Sequence, residues 1–486
     1  MSAPACARLW SRVCALGLSL ALVSCGGAIT AGIEGTGMQV AAVSSGAISR
    51  FGSIFVNGVE FNTTAALVYV NGQSAAASTL RVGQVVKVQG TVAGGGTTGA
   101  AARVDYRANV QGPIATVNAT AYSFTVLGQT VTVGPQTSLA ADAGGSPGFA
   151  ALQPGALVEV SGYANANGTI AATRIDLKSR VGAYLITGTV GTVDGVAYLL
   201  TVNGATVDFS SAALAGFPAG GSVRPGDQIE VTSTPGAAAG TLAASAIELV
   251  SRVTAGNGDY GRIDGEITRF ASAADFDVAD TTVTTNPQTV FQNGAIGQLA
   301  ANVHVTVQGS YDAGGTLVAA TVRFDESAPI LLKAPVDAVD AAANTLTILG
   351  MTVTTDAETR FDDESANPVS PFNLTSIAPG DYLEIHGRAT GGNAVAATVV
   401  TREAPGAGVE LRGTATAVAA PNLTVLGINA LTGAATQYFD ANEAPITSAQ
   451  FFAAAPGAVV DLSGSYAGGA LGVAAAALSN PAELGD

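Results

Sequence analysis

The chain has 486 residues, of which 48% are hydrophobic and only 12% are charged, so it is too long for one compact domain and must divide into several. It contains 61 glycines but only 3 cysteines and 2 histidines, which leaves few side chains for nucleophilic or metal chemistry. Its 36 acidic and 20 basic side chains give a net charge of −16, which disfavours a nucleic-acid partner because phosphates require a basic surface. The many Ala, Val, Thr and Gly residues predict an all-β protein of short strands and tight turns.

The N-terminal segment has the features of a bacterial lipoprotein signal peptide. Residues 1–12 contain two arginines and no acid, and residues 13–23 form an uncharged, mostly apolar stretch that is too short to span a bilayer. The stretch leads into residues 22–27 (LVSCGG), where an aliphatic residue, small residues and a cysteine are typical of a lipobox. We therefore predict that Cys25 is lipidated and anchors the mature chain to a membrane, with an ordinary signal peptide as the alternative. Gly26 in the next position favours the outer membrane.

The mature chain is predicted to have no thiol for a disulfide or a thiolate site. Cys6 and Cys14 lie in the segment that is removed, and Cys25 carries the lipid. The small residues that follow predict a flexible tether over residues 25–45.

A strand pattern bounded by glycines recurs six times, with starts 71 to 78 residues apart. In every copy the third and fifth positions after the first residue are Val, Ile or Leu, and the fourth and sixth are polar, which predicts a half-buried strand. We refer to it as the motif strand. The copies are residues 83–90 (GQVVKVQG), 155–162 (GALVEVSG), 226–233 (GDQIEVTS), 302–309 (NVHVTVQG), 380–387 (GDYLEIHG) and 457–464 (GAVVDLSG).

Each copy has companions in a constant order. A first strand precedes a hairpin with Asn-Gly or Leu-Gly at its turn, as in residues 55–61 (FVNGVEF), and a closing strand follows the motif strand, as in residues 315–324 (GTLVAATVRF). Because an open sheet of this size would leave unpaired edges, we predict an elongated tandem array of about six small antiparallel OB-like β-barrels, with a two-sheet sandwich as the alternative. The predicted segments are 1–24 (signal peptide), 25–45 (tether) and repeats 1 to 6 at 46–108, 109–181, 182–255, 256–328, 329–404 and 405–486.

The first repeat carries a resemblance to a known family. Residues 32–37 (GIEGTG), 51–61 (FGSIFVNGVEF) and 80–90 (LRVGQVVKVQG) resemble exported bacterial lipoproteins built from domain of unknown function 5666. The resemblance covers nearly all of the mature chain and is loosest in the third, fourth and sixth repeats. It implies a small β-barrel module on the cell envelope and brings no catalytic residues with it.

Few residues are candidates for chemistry. His304 and His386 occupy different positions of their motif strands, so we interpret both as ordinary strand residues and not as members of a catalytic triad. Residues 256–261 (GNGDYG) match the glycine pattern G-x-G-x-x-G of phosphate-binding loops, which follows a strand and opens a helix. Here the glycines precede a predicted strand, which indicates a linker between repeats. Tyrosines in or just after four motif strands are predicted to pack in the core or at barrel ends; these are Tyr163, Tyr311, Tyr382 and Tyr466.

Three acidic clusters lie near predicted turns. We interpret them as solvated surface carboxylates, with calcium binding as the alternative, although none has EF-hand spacing. The clusters are Asp275, Asp277 and Asp280; Asp325 and Glu326; and Asp362, Asp363 and Glu364. We therefore predict no catalytic, cofactor-binding or metal-binding residue, and Cys25 as the modified residue.

Two functions follow from these observations. The first is a non-enzymatic envelope lipoprotein in the form of an acidic rod. It acts as a spacer, as a scaffold, or as an adhesion or binding module that contacts an envelope protein or glycan through variable loops. The second is an enzyme or enzyme subunit that acts on envelope or extracellular polysaccharide with paired carboxylates, although nothing in the sequence marks such a pair.

Overall fold

The computed structural model describes residues 39–51, 53–94, 96–142, 147–218, 221–235, 240–250, 255–325, 329–391, 393–406 and 408–480. These residues are almost entirely β-structure, which confirms the all-β prediction. Cys25 and the motif at residues 32–37 lie outside the described residues. The first strand begins at Val40, so the predicted tether at 25–45 extends too far.

The strands recur in the same order in all six repeats. Repeat 1 contains β1 (Val40–Arg50), β2 (Ile54–Val56), β3 (Val59–Asn62), β4 (Leu67–Val70), β5 (Gln73–Ala75), β6 (Val85–Val92) and β7 (Thr98–Tyr106). Repeat 2 contains β8 (Val110–Asn118), β9 (Ser123–Val126), β10 (Gln129–Ala141), β11 (Leu157–Ala164) and β12 (Ile170–Lys178). Repeat 3 contains β13 (Tyr184–Asp194), β14 (Leu199–Val202), β15 (Ala205–Asp208), β16 (Ala213–Ala215), β17 (Gln228–Ser233), β18 (Leu242–Ala243) and β19 (Ala246–Leu249).

The second half of the chain continues the series. Repeat 4 contains β20 (Tyr260–Ser272), β21 (Asp275–Val278), β22 (Thr281–Thr284), β23 (Val290–Gln292), β24 (His304–Tyr311) and β25 (Leu317–Phe324). Repeat 5 contains β26 (Ile330–Asp340), β27 (Thr345–Ile348), β28 (Met351–Thr354), β29 (Arg360–Asp363), β30 (Tyr382–Gly391) and β31 (Ala394–Arg402). Repeat 6 contains β32 (Val409–Thr414), β33 (Asn422–Val425), β34 (Ile428–Leu431), β35 (Gln437–Phe439), β36 (Val459–Ala467) and β37 (Ala470–Leu478).

Helical structure is sparse among the described residues. Helix α1 (Ser448–Ala454) precedes the last motif strand, and the Thr447 side chain caps it by accepting a hydrogen bond from the Gln450 N–H. No helix in the described part of the chain combines the length and apolar character needed to cross a bilayer. Short 3₁₀ turns occupy Ala77–Thr79, Phe149–Ala151, Ile296–Gln298 and Leu374–Ser376.

The strands of repeats 1, 2, 4 and 5 form a hydrogen-bonded ring. In repeat 6 an isolated bridge between Ala415 and Val425 takes the place of one strand pairing, and in repeat 3 the ring is interrupted between β18 and β19. In the ring of repeat 2, strand β8 pairs antiparallel with β9, and β9 pairs antiparallel with β10 across the hairpin turn. Strand β10 then pairs in parallel with the closing strand β12. The motif strand β11 pairs antiparallel with both β12 and β8, which completes the ring. The expectation of wholly antiparallel repeats is therefore wrong, because the closing strand runs parallel to the second hairpin strand in every repeat.

The repeats are also not separate barrels, because their first strands pair with one another. Strand β1 pairs in parallel with β20, which joins repeats 1 and 4 in one sheet. Strand β8 pairs antiparallel with β13, and β26 pairs antiparallel with β32. The prediction of independent OB-like barrels is corrected accordingly: pairs of repeats share three continuous sheets. The free backbone edge of a first strand pairs with the first strand of another repeat. Repeat 1 pairs in this way with repeat 4, although repeats 2 and 3 lie between them in the chain.

The hairpin prediction is confirmed, and backbone geometry explains its turn residues. Asn57 and Gly58 have φ angles of 52° and 73°, and the Leu127–Gly128 turn has 48° and 80°. A tight hairpin turn with two positive φ angles matches the twist of the strands and favours Gly and Asn. The side chain of Asn57, the first turn residue, also packs directly against Gly46 of the first strand. A Cβ at position 46 would lie 2.0 Å from Asn57 Oδ1, so this contact requires glycine.

The two glycines of the motif have different roles. The first residue takes a left-handed conformation in all six copies, with φ between 67° and 93°, and Asn302 fits there because Asn tolerates that region. The second glycine lies at a β-bulge where the motif strand meets the closing strand. A Cβ at this second position would lie 2.0–2.3 Å from a carbonyl oxygen of the closing strand in five repeats; the glycines are Gly90, Gly162, Gly309, Gly387 and Gly464.

Repeat 3 departs from this pattern at the second glycine. Ser233 occupies the position, and the strand ends there instead of continuing through a bulge. The closing strand is correspondingly split into β18 and β19. Because a Cβ prevents the close backbone approach, the two strands cannot continue past each other as they do elsewhere.

Apolar residues of the motif strands lie in the cores. The third and fifth positions of all six motif strands are fully or almost fully buried, as the alternating pattern predicts. Repeats 2 and 3 share one apolar core, and repeats 5 and 6 share another, whereas repeats 1 and 4 have separate cores. The largest fully buried side chains are Tyr106, Phe61, Phe124, Phe276, Phe361 and Phe451.

The bulge glycine predicts a sharp difference between two Gly→Ala substitutions. In Gly162→Ala, the new Cβ lies 2.1 Å from the Ala171 carbonyl oxygen, so strand displacement lowers stability by about 1–3 kcal/mol. In Gly182→Ala, no atom lies within 4 Å of the new Cβ, and stability is expected to be unchanged. Scanning calorimetry measures both melting temperatures. Equal temperatures for the two variants would contradict the role assigned to the bulge.

Candidate ligand-binding cavity

A cavity of about 930 Å³ lies where repeats 1, 2, 3 and 4 meet. Its volume is within the range of roughly 300–1,000 Å³ that is typical of small-molecule sites. Repeat 1 contributes β6 and β7, repeat 2 the turn at residues 164–168, repeat 3 part of β13 and the turn Asn203–Gly204, and repeat 4 β20 to β22. No single repeat could form it, because each wall comes from a different repeat.

Ion pairs surround the cavity, and several of them join different repeats. Lys87 of repeat 1 pairs with Asp280 of repeat 4. Arg107 lies 2.8 Å from Glu230 and 2.6 Å from Glu248, both in repeat 3. Two further pairs lie within single repeats: Arg103 with Asp105 at 2.6 Å and Arg269 with Asp277 at 2.7 Å. These contacts bind the walls together and use the basic side chains that line the cavity.

The remaining wall combines uncharged hydrogen-bonding groups and glycines with small apolar residues, which are Val85, Val86, Val190, Val250, Ala164, Ala166 and Ala279. Gln228 donates to Thr189 Oγ1 at 2.9 Å, and Asn109 Oδ1 accepts from the Gly162 N–H at 2.8 Å. Further lining residues of these types are Asn165, Asn167, Thr187, Asn203, Thr268, Thr282, Gly168, Gly188, Gly191, Gly204 and Gly226. The small side chains keep the space open and bring backbone groups to its surface.

A polar network closes the wall between repeats 2 and 4. The Tyr163 hydroxyl donates to Asp264 and accepts from the Ala47 N–H at 3.0 Å, so it touches three repeats. His304 Nε2 lies 3.0 Å from Asp264 Oδ1, and Thr306 donates to the same oxygen at 2.9 Å. The Tyr163 and His304 rings pack edge to face with centroids 4.7 Å apart.

The network keeps its two central groups charged. Burial lowers the pKa of His304, but the charge of Asp264 and hydrogen bonds to Asp264 and Glu266 outweigh it and raise the pKa well above 6.5. Burial raises the pKa of Asp264, but the charge of His304 and three hydrogen bonds lower it to about 2. At neutral pH the pair is therefore an imidazolium and a carboxylate, and neither is suited to proton transfer.

Three buried polar atoms of the lining residues lack hydrogen-bond partners among the described residues: Arg107 Nη1, Thr187 Oγ1 and Glu266 Oε2. Arg107 Nη1 lies 2.8 Å from Glu230 in an ion pair, which leaves Thr187 Oγ1 and Glu266 Oε2 as the two acceptors to be explained. The other carboxylate oxygen of Glu266, Oε1, lies 3.5 Å from His304 Nδ1 and is the contact through which Glu266 helps to raise the His304 pKa. A buried acceptor without a donor is costly, so these atoms mark a place for a ligand group.

The acidic clusters predicted from the sequence are engaged in ion pairs. Asp275 and Asp277 bind Arg269, and Asp280 binds Lys87 and lines the cavity. Glu326 lies outside the described residues. Among the residues that the structure describes, no group of three or more His, Cys, Asp or Glu side chains could hold a metal ion.

The third acidic cluster lies at a second, more buried junction, between repeats 2 and 5. Asp363 binds Arg402, and Asp362 lies 3.6 Å from Arg174. Burial and the neighbouring charge of Asp362 raise the pKa of Glu364 to about 9, so this carboxyl is protonated at neutral pH. Arg360 reaches from repeat 5 to the carbonyl oxygens of Gln136 and Thr173. The interpretation of these carboxylates as solvated is wrong for Glu364.

The histidines and tyrosines singled out in the sequence connect elements. His386 is buried and lies 2.9 Å from Glu384 in its own strand, 82 positions along the chain from His304 and in a different network. Tyr382 donates to the Gly408 carbonyl at 2.8 Å, and Tyr466 donates to the Leu349 carbonyl at 2.9 Å. Tyr311 is buried in the core of repeat 4. Residues 256–261 lead into β20 and not into a helix.

Sequence reasoning missed most of the cavity. Lys87, Asp264 and Glu266 belong to alternating polar positions of their strands that the pattern assigns to solvent, and Arg107 follows the end of β7. A charge at the position of Lys87 gave no signal, because that position of the motif strand is charged in five of the six copies; the residues are Lys87, Glu159, Glu230, Glu384 and Asp461. The pattern cannot show which repeat faces which, so it could not bring these residues together.

The fold and the cavity define an all-β protein of tandem repeats joined by ion pairs. Comparison with protein families identifies the repeats: Domain of unknown function (DUF5666) matches residues 39–105, 111–176, 264–323, 333–401 and 412–474. These matches cover more than half of the chain, which therefore belongs to this family. The match skips repeat 3, the repeat with Ser233 in place of the second glycine. No curated protein matches the chain.

The Asp264–His304 pair predicts a pH-dependent contribution to stability. A raised His304 pKa stabilises the fold fully below its unfolded value of 6.5, and this stabilisation is lost as the pH rises through the folded pKa. The lowered Asp264 pKa stabilises the fold above 3.8, and this is lost as the pH falls towards 2. The difference in free energy of unfolding between wild type and His304→Gln is therefore expected to be largest between 3.8 and 6.5.

Chemical denaturation over a pH series measures this difference. Gln228 already occupies the equivalent position of repeat 3, so the substitution preserves the strand. A difference that stays constant from acidic to alkaline pH would contradict the pair.

Proposed function

We propose that the protein is a non-enzymatic lipoprotein of the bacterial cell envelope, an acidic array of repeats that Cys25 tethers to the outer membrane and that binds a small ligand in the cavity. The observation that carries the proposal is the cavity of about 930 Å³ with its unsatisfied acceptors. The lipobox at residues 22–27 supports the anchor. Binding and scaffolding are compatible here, since the same ion pairs that shape the cavity hold four repeats together.

The alternative, a polysaccharide-acting enzyme with paired carboxylates, has weaker support. Such an enzyme needs one carboxylic acid that is protonated near neutral pH and that touches the substrate. Asp264 lines the cavity but stays ionised, with a pKa of about 2. Burial raises the pKa of Glu230, but this residue is 5% exposed and lies 2.8 Å from Arg107, so it is not available to a substrate.

The anchor has a direct test in Cys25→Ala. Without the thiol no diacylglycerol can be attached, so the protein is expected to move from the membrane pellet to the soluble envelope fraction. Blotting of fractionated cells measures the distribution, and Cys14→Ala is the matched control because Cys14 precedes the cleavage site. Retention of Cys25→Ala in the pellet would rule out lipid anchoring at this residue. A non-penetrating protease applied to intact cells then distinguishes the cell surface from the periplasm.

Cavity binding is tested with two alanines at equivalent turns. Ala166 lines the cavity in the turn after β11, and Ala313 occupies the same place after β24 but is exposed to solvent and is not among the lining residues. A Trp at position 166 fills the cavity, whereas a Trp at 313 adds only a surface ring. We expect a small molecule to co-purify with wild type and Ala313→Trp and to be lost from Ala166→Trp.

Mass spectrometry of compounds released by denaturing the protein, purified from its own envelope in mild detergent, measures this outcome. Equal recovery from Ala166→Trp and Ala313→Trp would show that the cavity is not the binding site. Melting temperatures of both variants establish that the fold is retained.

A further inference from the structure

We propose that the ligand of the cavity is an oligosaccharide that carries protonated amines, an inference that rests on the proposed function and names its ligand class. It follows from three properties of the described lining: an excess of carboxylates, an acceptor without a donor, and walls of amide and hydroxyl groups. Each property points to a different part of the ligand.

The charge balance of the lining favours a cation. Six carboxylates line the described part of the cavity, but only four basic side chains do, and each of these four already has a carboxylate partner. The remaining two carboxylates, Asp264 and Glu266, share the one His304 imidazolium behind them, which leaves one negative charge in surplus. The lining carboxylates are Asp105, Glu248, Asp264, Glu266, Asp277 and Asp280. An anionic ligand would have to displace these ion pairs and would meet the surplus negative charge. A protonated amine gains from the same surplus.

Glu266 supplies the specific contact for the amine. Its Oε2 is buried and has no hydrogen-bond partner among the described residues, while its Oε1 faces His304 Nδ1 at 3.5 Å. The neighbouring Asp264 is already saturated by Tyr163, His304 and Thr306. Glu266 is therefore the carboxylate that is free to accept from an ammonium group, and such charge-assisted bonds are the stronger kind.

The remaining wall suits the hydroxyls of a sugar. Asn167, Thr187 and Gln228 present amide and hydroxyl groups, and Thr187 Oγ1 is unpartnered. Such groups both donate and accept, as sugar hydroxyls do. Tyr163 is the aromatic residue of the described lining, and its ring already packs on His304, so flat aromatic ligands gain no stacking. A volume of about 930 Å³ accommodates several sugar units rather than one.

The probe pair is a tetramer of β-1,4-linked glucosamine and its fully N-acetylated form. The two share one backbone and differ only in the charge of their amino groups, so they isolate the amine contact. Isothermal titration calorimetry with the full mature protein, at a pH of about 6 where the amines are protonated, gives both affinities. We expect the glucosamine tetramer to bind about tenfold tighter, the factor for one hydrogen bond to a charged group.

Spermine and inorganic phosphate complete the set of probes. Spermine carries amines without a sugar and is expected to bind more weakly than the glucosamine tetramer, and phosphate is expected not to bind. Equal or tighter binding of the acetylated tetramer, of spermine or of phosphate would overturn the ligand class.

Glu266→Gln tests the contact residue. It removes the charge with little change in volume, so the glucosamine tetramer is expected to bind about tenfold more weakly while the acetylated tetramer is unaffected. Asp312→Asn is the matched control, because Asp312 also carries a carboxylate on repeat 4 but is not among the lining residues, and the turn hydrogen bonds that its Oδ1 accepts can be kept by Asn. Unchanged preference in Glu266→Gln would overturn the assignment of this residue.

Two safeguards keep the outcomes separate. If Glu266→Gln unfolds, Ala166→Trp must abolish glucosamine tetramer binding and Ala313→Trp must retain it. If a compound co-purifies with the protein but neither tetramer binds, the ligand class is wrong and cavity binding stands. If Ala166→Trp and Ala313→Trp retain compounds equally, the proposed function itself fails.

Discussion

The close backbone approach at the second motif glycine is the constraint on which the rest of the structure depends. At Gly162 and its equivalents the motif strand and the closing strand pass so near each other that a methyl group would overlap a carbonyl oxygen. The bulge at this point bends both strands, which lets five strands close into a ring. Repeat 3 has Ser233 at this position, and its closing strand is divided into the two short strands β18 and β19. The loss of the glycine thus coincides with the loss of a continuous closing strand.

Ring closure has a second consequence for how the repeats assemble. The motif strand uses both of its edges within its ring, so the first strand becomes the element through which one repeat meets another. Because β1 takes β20 as its neighbour, repeat 4 lies beside repeat 1, and the turns of repeats 2 and 3 complete the walls of the cavity. The cavity is thus a product of assembly and not of any individual repeat.

The sequence predicted what is local and failed on what is distant. Alternation correctly identified buried positions such as Val158 and Val160, and Asn-Gly and Leu-Gly dipeptides correctly located the hairpin turns. Parallel closure and the pairing of first strands were missed, because a period of two residues is the same for parallel and antiparallel strands. The cavity was missed because its residues are distant in the sequence. Lys87 and Asp280 are 193 positions apart, and each alone is indistinguishable from a surface charge.

The ion pairs around the cavity also constrain what it can do. Exposed ion pairs are worth little, as at Arg103 and Arg269, but the pairs made by Lys87 and Arg107 are partly buried and link different repeats. Repeats 1 and 4 have distinct cores, and they are joined by the pairing of β1 with β20, by Val43 and Tyr260, which each pack against the other repeat's core, and by polar contacts such as Lys87 with Asp280. A wall held in this way is already ordered before a ligand arrives, and the ordering cost of binding is correspondingly small. Because the basic side chains of the described lining are already paired with carboxylates, the groups that still lack partners are acceptor oxygens. Selectivity for ligands rich in hydrogen-bond donors therefore follows from the ion pairs that hold the repeats together.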